Sequence, residues 1–306
     1  MKILKKICDK KHFTDTYYFL GIKIFNRKRF HDLYCMYRRY QDRANTSASY
    51  LSYCDIRKCR PASGELRKKQ LKVCELLRTV CSIAEKNNLV YWLDFGTLLG
   101  SYRHQGFVPW DDDGDISMPR EDYNKILPLL KKHFEKEPDY VVREGLYEKH
   151  HGRDFWHFQV RIYSEKEKFG IDIFPVDEIE SDISKSQISR LLMDGQELIK
   201  TKLLPKTTKT EYLHEAEIVL NNIKRNLGKP QRKVCFCGLD YPMKRKSICH
   251  EFTDIYPLKK GKFEGYYFFV PNNCEQYLED LYGEYNCFPS LDFDYFNGLD
   301  MEFPES

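Results

Sequence analysis

Between residues 111 and 115 the chain places four aspartates, Asp111, Asp112, Asp113 and Asp115, within five positions. Like charges this close repel, and a fold tolerates them when something positive sits between them. The cluster therefore asks for a cation, and a hard ion such as Mg2+, with Mn2+ as the alternative, is what an all-carboxylate site takes. The surrounding stretch adds a Gly-Thr pair at Gly96-Thr97 and an Arg-His pair at Arg103-His104.

Local patterns give the cluster a scaffold. Leu66, Val73, Leu77, Val80 and Ala84 recur at helical spacing, which predicts a helix over 65–87 with one apolar stripe and Ser63 as its N-cap. Residues 89–93 read as a buried strand. Gly96-Thr97 turns the chain into a helix over 98–104, whose first N–H groups and positive dipole end are open to an anion. The acidic run then continues as a strand to Met118. Strand alternation puts Asp111, Asp113 and Asp115 on one face and turns Asp112 away. Further helices are expected at 119–133, 182–200, 211–227 and 274–282, and strands at 140–143, 156–163, 170–176 and 265–270. In the strand at 170–176, Asp172 stands alone among apolar residues, where an uncompensated carboxylate is costly. It should face the cation at the aspartate cluster; the alternative is a pair with Arg161.

Charge is unevenly spread. Residues 1–45 hold 12 Lys/Arg against 4 Asp/Glu, so a net +4 chain carries a basic arm on a slightly acidic body. Such an arm suits an anionic membrane surface or a polyanion, and equally a solvated tail. Its apolar run at 17–25 is too short for a membrane span and is broken by Lys23, but it could lie in a bilayer interface. Helical tendency follows at 29–42, and Arg60-Pro61-Ala62-Ser63-Gly64 marks the boundary. Eleven cysteines without a secretory signal argue for a reducing compartment, so a cytoplasmic protein, peripheral at the inner face of the membrane, is expected. Cys235, Cys237, Cys249 and His250 fit no zinc spacing and read as buried thiols and a packed ring; Cys54 and Cys59 are weaker still. No Walker motif, Ser/His/Asp set or basic-aromatic platform is present, which excludes nucleic acid as a partner.

A Gly-Thr turn at a helix N-terminus, an Asp-x-Asp and a later lone Asp together suit phosphoryl transfer. The helix end holds phosphate oxygens, the aspartates hold the ion that neutralises them, and the last carboxylate can take a proton from an attacking hydroxyl. The run Gly96-Thr97-Leu98-Leu99-Gly100, Arg103-His104, Gly106-Phe107-Val108-Pro109-Trp110-Asp111-Asp112-Asp113 and Asp115 resembles the nucleotidyltransferase superfamily and, within it, the LicD family. That family includes phosphocholine transferases and is related to fukutin-type ribitol-phosphate transferases. Ile171-Asp172-Ile173-Phe174-Pro175-Val176-Asp177, the block from Gly265 to Pro271, and Tyr277-Leu278 with Tyr282-Gly283 are similar to it as well.

The resemblance implies transfer of a phospho-alcohol, most often phosphocholine, from CDP-choline or a similar CDP-alcohol to a sugar hydroxyl. The acceptor would be a glycan or lipid-linked glycan, such as a polysaccharide, teichoic acid or lipopolysaccharide precursor. By position it implies Asp111, Asp113, Asp115 and Asp172 as metal ligands and Asp113, Asp115 and Asp172 as catalytic, with Asp172 bridging the metal or acting as base. Gly96 and Thr97 would cradle the donor diphosphate, and Arg103 and His104 would face it. Gly114 departs from the family, which favours an apolar residue there, and glycine weakens a strand.

The expected fold is α+β: a nucleotidyltransferase-like mixed β-sheet flanked by helices. A basic helical arm would span 1–64 and a catalytic domain 65–306, its nucleotidyltransferase core at 65–180 and a helical, aromatic C-terminal part at 181–306. Rival readings are a nucleotidyltransferase releasing pyrophosphate, a ribitol- or glycerol-phosphate transferase, and an inactive glycan-binding protein.

Overall fold

The computed structural model describes residues 4–9, 14–19, 22–28, 55–150, 153–202, 208–238 and 248–287. The chain divides into two compact units, residues 1–56 with 287–295 and residues 57–286 with 296–306. In the first, β1 (Leu4–Asp9), β2 (Thr14–Phe19) and β3 (Ile22–Lys28) pair antiparallel in that order. Where it is described, the basic arm is thus a sheet and not the expected helix. Thr, Tyr, Phe and Ile recur through these segments, and such side chains suit a pleated surface. The helix expected at 29–42 lies outside the described residues.

The second unit runs α1 (Gly64–Lys86), β4 (Trp92–Leu93), α2 (Phe95–His104), β5 (Gly114–Pro119), α3 (Arg120–Phe134), β6 (Tyr140–His150), β7 (Arg153–Ser164) and β8 (Phe169–Ser181). It continues with α4 (Lys185–Lys202), α5 (Lys209–Lys224), β9 (Arg232–Cys237), β10 (Cys249–Glu251), α6 (Phe252–Ile255), β11 (Lys259–Phe263), β12 (Tyr266–Val270) and α7 (Cys274–Tyr282). Seven strands form one mixed sheet in which β8 is the shared rail. Its first half runs parallel to β5 and antiparallel to β7, and its second half pairs with β9. β4 borders β5, β6 borders β7 and β10 borders β9.

Helix α1 forms because its apolar positions make one stripe. Val73, Leu77, Val80 and Ala84 are fully buried, each of the larger three worth about 1.5–3 kcal/mol of transfer from water. They pack on the sheet face carrying Ile116, Met118, Ile171 and Ile173. This contact explains Gly114: a Cβ there would lie 3.0 Å from Ile171 Cγ2 and 3.1 Å from Val73 Cγ1. The missing side chain is the space that lets α1 close on the sheet, so the departure from the family pattern carries a packing reason. Ser63 stands at the N-cap but makes no side-chain capping bond.

A second core lies under the other half of β8. Ile188 and Leu192 of α4 meet Val219 and Ile223 of α5 and Val234 and Phe236 of β9. Gly195 permits that helix pair, since a Cβ there would come within 2.8 Å of both Ile223 and Val219. No helix among the described residues is long and apolar enough to cross a membrane.

Candidate active site

Asp94 begins the site. It caps α2, its Oδ1 accepting from Phe95 N at 2.7 Å, so the helix starts three residues earlier than the sequence pattern indicates. Gly96 and Thr97 therefore belong to the first helical turn and not to a turn before it. Asp94 Oδ2 also accepts from the hydroxyls of Ser117 and, at 2.9 Å, Tyr277, whose oxygen accepts from Trp92 Nε1 at 3.1 Å. Burial pushes the Asp94 carboxyl up, against the pull of those donors.

The strand that follows is held to this helix. Asp94 N donates to Asp115 O at 3.1 Å, and Asp115 N donates to Thr97 Oγ1 at 2.8 Å. Thr97 is 1 % exposed, so its hydroxyl sets the position of Asp115 from within and does not face outward to a phosphate. Gly96 faces a different neighbour. A Cβ there would sit 2.3 Å from Asp111 Oδ2, so glycine lets that carboxylate close against the first turn of α2.

Register brings the other carboxylates together. Asp115 of β5 lies opposite Asp172 of β8 in the parallel ladder, and Arg161 of β7 lies opposite Asp172 in the antiparallel one. One row across three strands thus reads Asp, Asp, Arg on a common face. Carboxylate oxygens of Asp113, Asp115 and Asp172 lie within 4.8 Å of one another. Asp111 is not part of that trio. Strand β5 begins only at Gly114, so alternation does not reach back to Asp111, which instead sits at Gly96 within hydrogen-bond reach of Asp113. Asp112 turns away, as expected, and pairs with Lys69 of α1.

Electrostatics matches this crowding. Burial, with Asp172 and Asp112 nearby, pushes the Asp113 carboxyl up to about 6. Burial and neighbouring carboxylates likewise push Asp111 and Asp115 well above the usual carboxylate range. The donor set is all oxygen, three carboxylates against the one guanidinium of Arg161, which fits a hard divalent cation. Among the described residues no other group of His, Cys, Asp or Glu converges this way. His250 stacks on Tyr277 at 3.7 Å, and burial pushes the thiols of Cys235 and Cys249 up, the latter to about 12. These are packed groups, as the sequence suggested; Cys54 lies outside the described residues.

Arg103 and His104 end up at the far end of α2, roughly 10–12 Å from Gly96 at 1.5 Å per residue. Arg103 Nη1 donates to Tyr285 O at 2.6 Å, so it anchors the segment after α7, where the resemblance had it facing a donor.

A second layer escaped the sequence reading. Gln70 lies on the apolar stripe of α1, fully buried, and its Nε2 donates to Asp111 O at 2.8 Å. Arg67 donates to Gln70 Oε1 at 3.2 Å and forks onto Glu264 at 2.9 and 2.5 Å. Glu264 also accepts from Phe107 N at 3.1 Å. Glu264 and Gly265 both have positive φ and form the two-residue turn between β11 and β12. The hairpin tip is therefore clipped to the loop that carries the aspartates. The signals available were a polar residue on an apolar stripe and a Glu-Gly turn between two strand-like runs.

Residues 88–214 match the family described as LicD/FKTN/FKRP, nucleotidyltransferase domain. The lipopolysaccharide cholinephosphotransferase LicD of Haemophilus influenzae is 26% identical over 249 residues, covering 73% of this chain and 92% of that protein. The human ribitol 5-phosphate transferase FKRP is 34% identical over 103 residues, 33% of this chain and 19% of that protein. An uncharacterized protein of Rickettsia typhi is 44% identical over 68 residues, and there this chain spans 22% of the relative's length. The matched segment contains the capped helix α2, the aspartate trio and Arg161, so the part of the chain similar to the LicD family is the part that carries the site.

Proposed function

We propose that this protein transfers a phospho-alcohol, phosphocholine first among the candidates, from a CDP-activated donor to a sugar hydroxyl of a cell-surface glycan precursor, with Mg2+ as cofactor. The observation that carries the reading is the row Asp115–Asp172–Arg161, joined by Asp113, inside a LicD-family domain. Asp113, Asp115 and Asp172 would hold the cation. When bound, such an ion neutralises phosphate oxygens and favours in-line displacement at phosphorus.

The chain's own groups supply orientation. Arg161 grips both oxygens of Asp172 and fixes its direction towards the trio. Thr97 and Asp94 fix Asp115 through its backbone. Gln70 fixes the loop at Asp111. The first turn of α2 supplies the positive end of a helix dipole beside the trio, where a diphosphate would be favoured.

The test is incubation with CDP-choline, Mg2+ and lipopolysaccharide-derived acceptor, reading CMP release and phosphocholine on the glycan. Release of pyrophosphate from a nucleoside triphosphate, with CDP-choline untouched, would overturn the reading. The match to a ribitol 5-phosphate transferase favours one second reading, CDP-ribitol as donor, to be run in parallel. The basic arm at residues 1–45 would hold the protein at the anionic inner face of a membrane, read out by sedimentation with phosphatidylglycerol vesicles.

A further inference from the structure

A groove of about 1030 Å³ opens between the C-terminal half of α1, the end of α3 and the β11–β12 hairpin. That is the upper end of the roughly 300–1,000 Å³ typical of ligand sites. It is not the aspartate centre. Gln70, which touches Asp111, and Ser82, which lines the groove, are twelve residues apart on α1, about 18 Å at 1.5 Å per residue.

The lining is amphipathic in a particular way. Tyr267 is 67% exposed, beside Tyr266 at 42%. Tyr266 is fixed in place: the Arg78 guanidinium lies over its ring at 3.9 Å and donates to its hydroxyl at 3.1 Å. Tyr267 makes no hydrogen bond or ring contact among the described residues, so its face is open. On the floor, Glu85 accepts from Tyr91 Oη at 2.8 Å and from Lys260 at 3.2 Å, which holds one carboxylate rigid at the surface.

Three ligand classes can be set against this lining. A phosphate-rich polyanion needs an excess of cations, but Arg78, Lys86, Lys132 and Lys136 are nearly balanced by Glu75, Glu85 and Glu135. An apolar helix needs continuous apolar walls, and here charged side chains interrupt the apolar ones. A saccharide presents C–H faces that lie on an aromatic ring and hydroxyls that both donate and accept, and the groove offers both partners.

We propose that this groove binds a saccharide chain and holds the body of the acceptor while its reacting hydroxyl reaches the aspartate centre. The second clause rests on the function proposed above; saccharide binding itself does not. The spacing along α1 makes the acceptor an oligosaccharide or polymer, since a single sugar cannot span both places. The hairpin that carries Tyr267 is the one whose tip, Glu264, is clipped through Arg67 to the aspartate loop, so groove and centre share a rigid support.

The probe is an array of oligosaccharides released from lipopolysaccharide and teichoic acid, read with the full chain, Asp113→Asn, Tyr267→Ala and Tyr267→Phe. Binding should be equal in the parent, Asp113→Asn and Tyr267→Phe, and at least tenfold weaker in Tyr267→Ala. CDP-choline cleavage to CMP without acceptor should be unchanged in Tyr267→Ala, while its KM for glycan rises and kcat holds. Equal binding by Tyr267→Ala, or no binding by the parent, overturns the proposal. Tyr267-dependent binding by a protein that cleaves no CDP-alcohol supports the groove and removes the transfer reading instead.

Discussion

Arg161 lies across the β7–β8 ladder from Asp172, its Nε and Nη2 reaching the two carboxylate oxygens at 2.6 and 2.5 Å. Two fates for Asp172, facing the aspartate cluster or pairing with Arg161, were alternatives in the sequence. The fold realises both, because the ladder puts Asp115 on one side of Asp172 and Arg161 on the other. Arg161 is thus a fixed positive charge beside three crowded carboxylates. Replacing it with Met should cost the metal-free protein about 1.5–3 kcal/mol, the worth of charge-assisted bonds to a buried group. Lys, which keeps the charge but not the planar fork, should recover only part. Urea unfolding checks this, and an unchanged midpoint for Arg161→Met would remove the role.

The raised carboxyl of Asp113 fixes a pH dependence and its sign. Its folded value is about 6 against an ordinary 3.8, so the folded state binds the proton more tightly than the unfolded one. Stability from this group is full below about pH 4 and declines as pH climbs through 6. Burial raises Glu264 and Asp280, but Arg67 with Phe107 N and His250 with Lys185 together outweigh it, so both shift downwards and tilt the whole-protein curve the other way. The clean readout is a difference: Asp113→Asn should be more stable than the metal-free parent at pH 7, with the gap closing towards pH 4. Calorimetry across that range decides it, and Mg2+ should shrink the gap from the other side by raising the parent's Tm alone.

Asp113→Asn should also lower the rate of CMP release from CDP-choline by roughly 10²–10³, the usual cost of losing one preorganised electrostatic group. A variant that folds, keeps its far-ultraviolet signal and turns over at the parental rate would place the chemistry elsewhere.

Thr97 offers a test of positioning. Thr97→Val keeps the shape but leaves the buried N–H of Asp115 without its acceptor, at about 1–3 kcal/mol. Thr97→Ser retains the hydroxyl and should stay near the parent in both stability and turnover. If Val and Ser behave alike, the hydroxyl does not hold Asp115.

Gly96→Ala should push Asp111 off the first turn of α2, because the new methyl would overlap its oxygen. The expectation is loss of turnover in a folded protein. Restoration in Gly96→Ala/Asp111→Gly of stability but not of turnover would show that the steric conflict, and not helix propensity, is the cause.

What the sequence made legible was whatever depends on near neighbours. The stripe from Val73 to Ala84, the helix at 274–282 and the isolation of Asp172 in an apolar strand follow from local spacing. Less visible was whatever depends on partners far along the chain. Gln70 meets Asp111 forty-one residues away, and Arg67 meets Glu264 across 197. Asp111 was misplaced because the strand begins at Gly114, after a loop led by Pro109 and Trp110, so the period-two rule did not apply to it. The cap at Asp94 was readable in principle, since an Asp just before a helix is a common start. In the arm, helical tendency is confined to 29–42, while the Thr, Tyr and Ile content of 4–28 favours the strands found there.

The three-strand row has a consequence in terms of parity. Side chains alternate along a strand, so the side of the sheet on which Asp172 emerges depends on whether an odd or even number of residues separates it from the hydrogen bonds that start the β8 ladder. Inserting one residue between Phe169 and Asp172 would send the carboxylate into the apolar layer under α1 and present Ile171 to Asp115, unless a bulge absorbed it. Inserting two would shift the row but keep its face. Length variation in β8 is therefore quantised, first by the row at the centre and then, from Val176 to Ser181, by the ladder with β9.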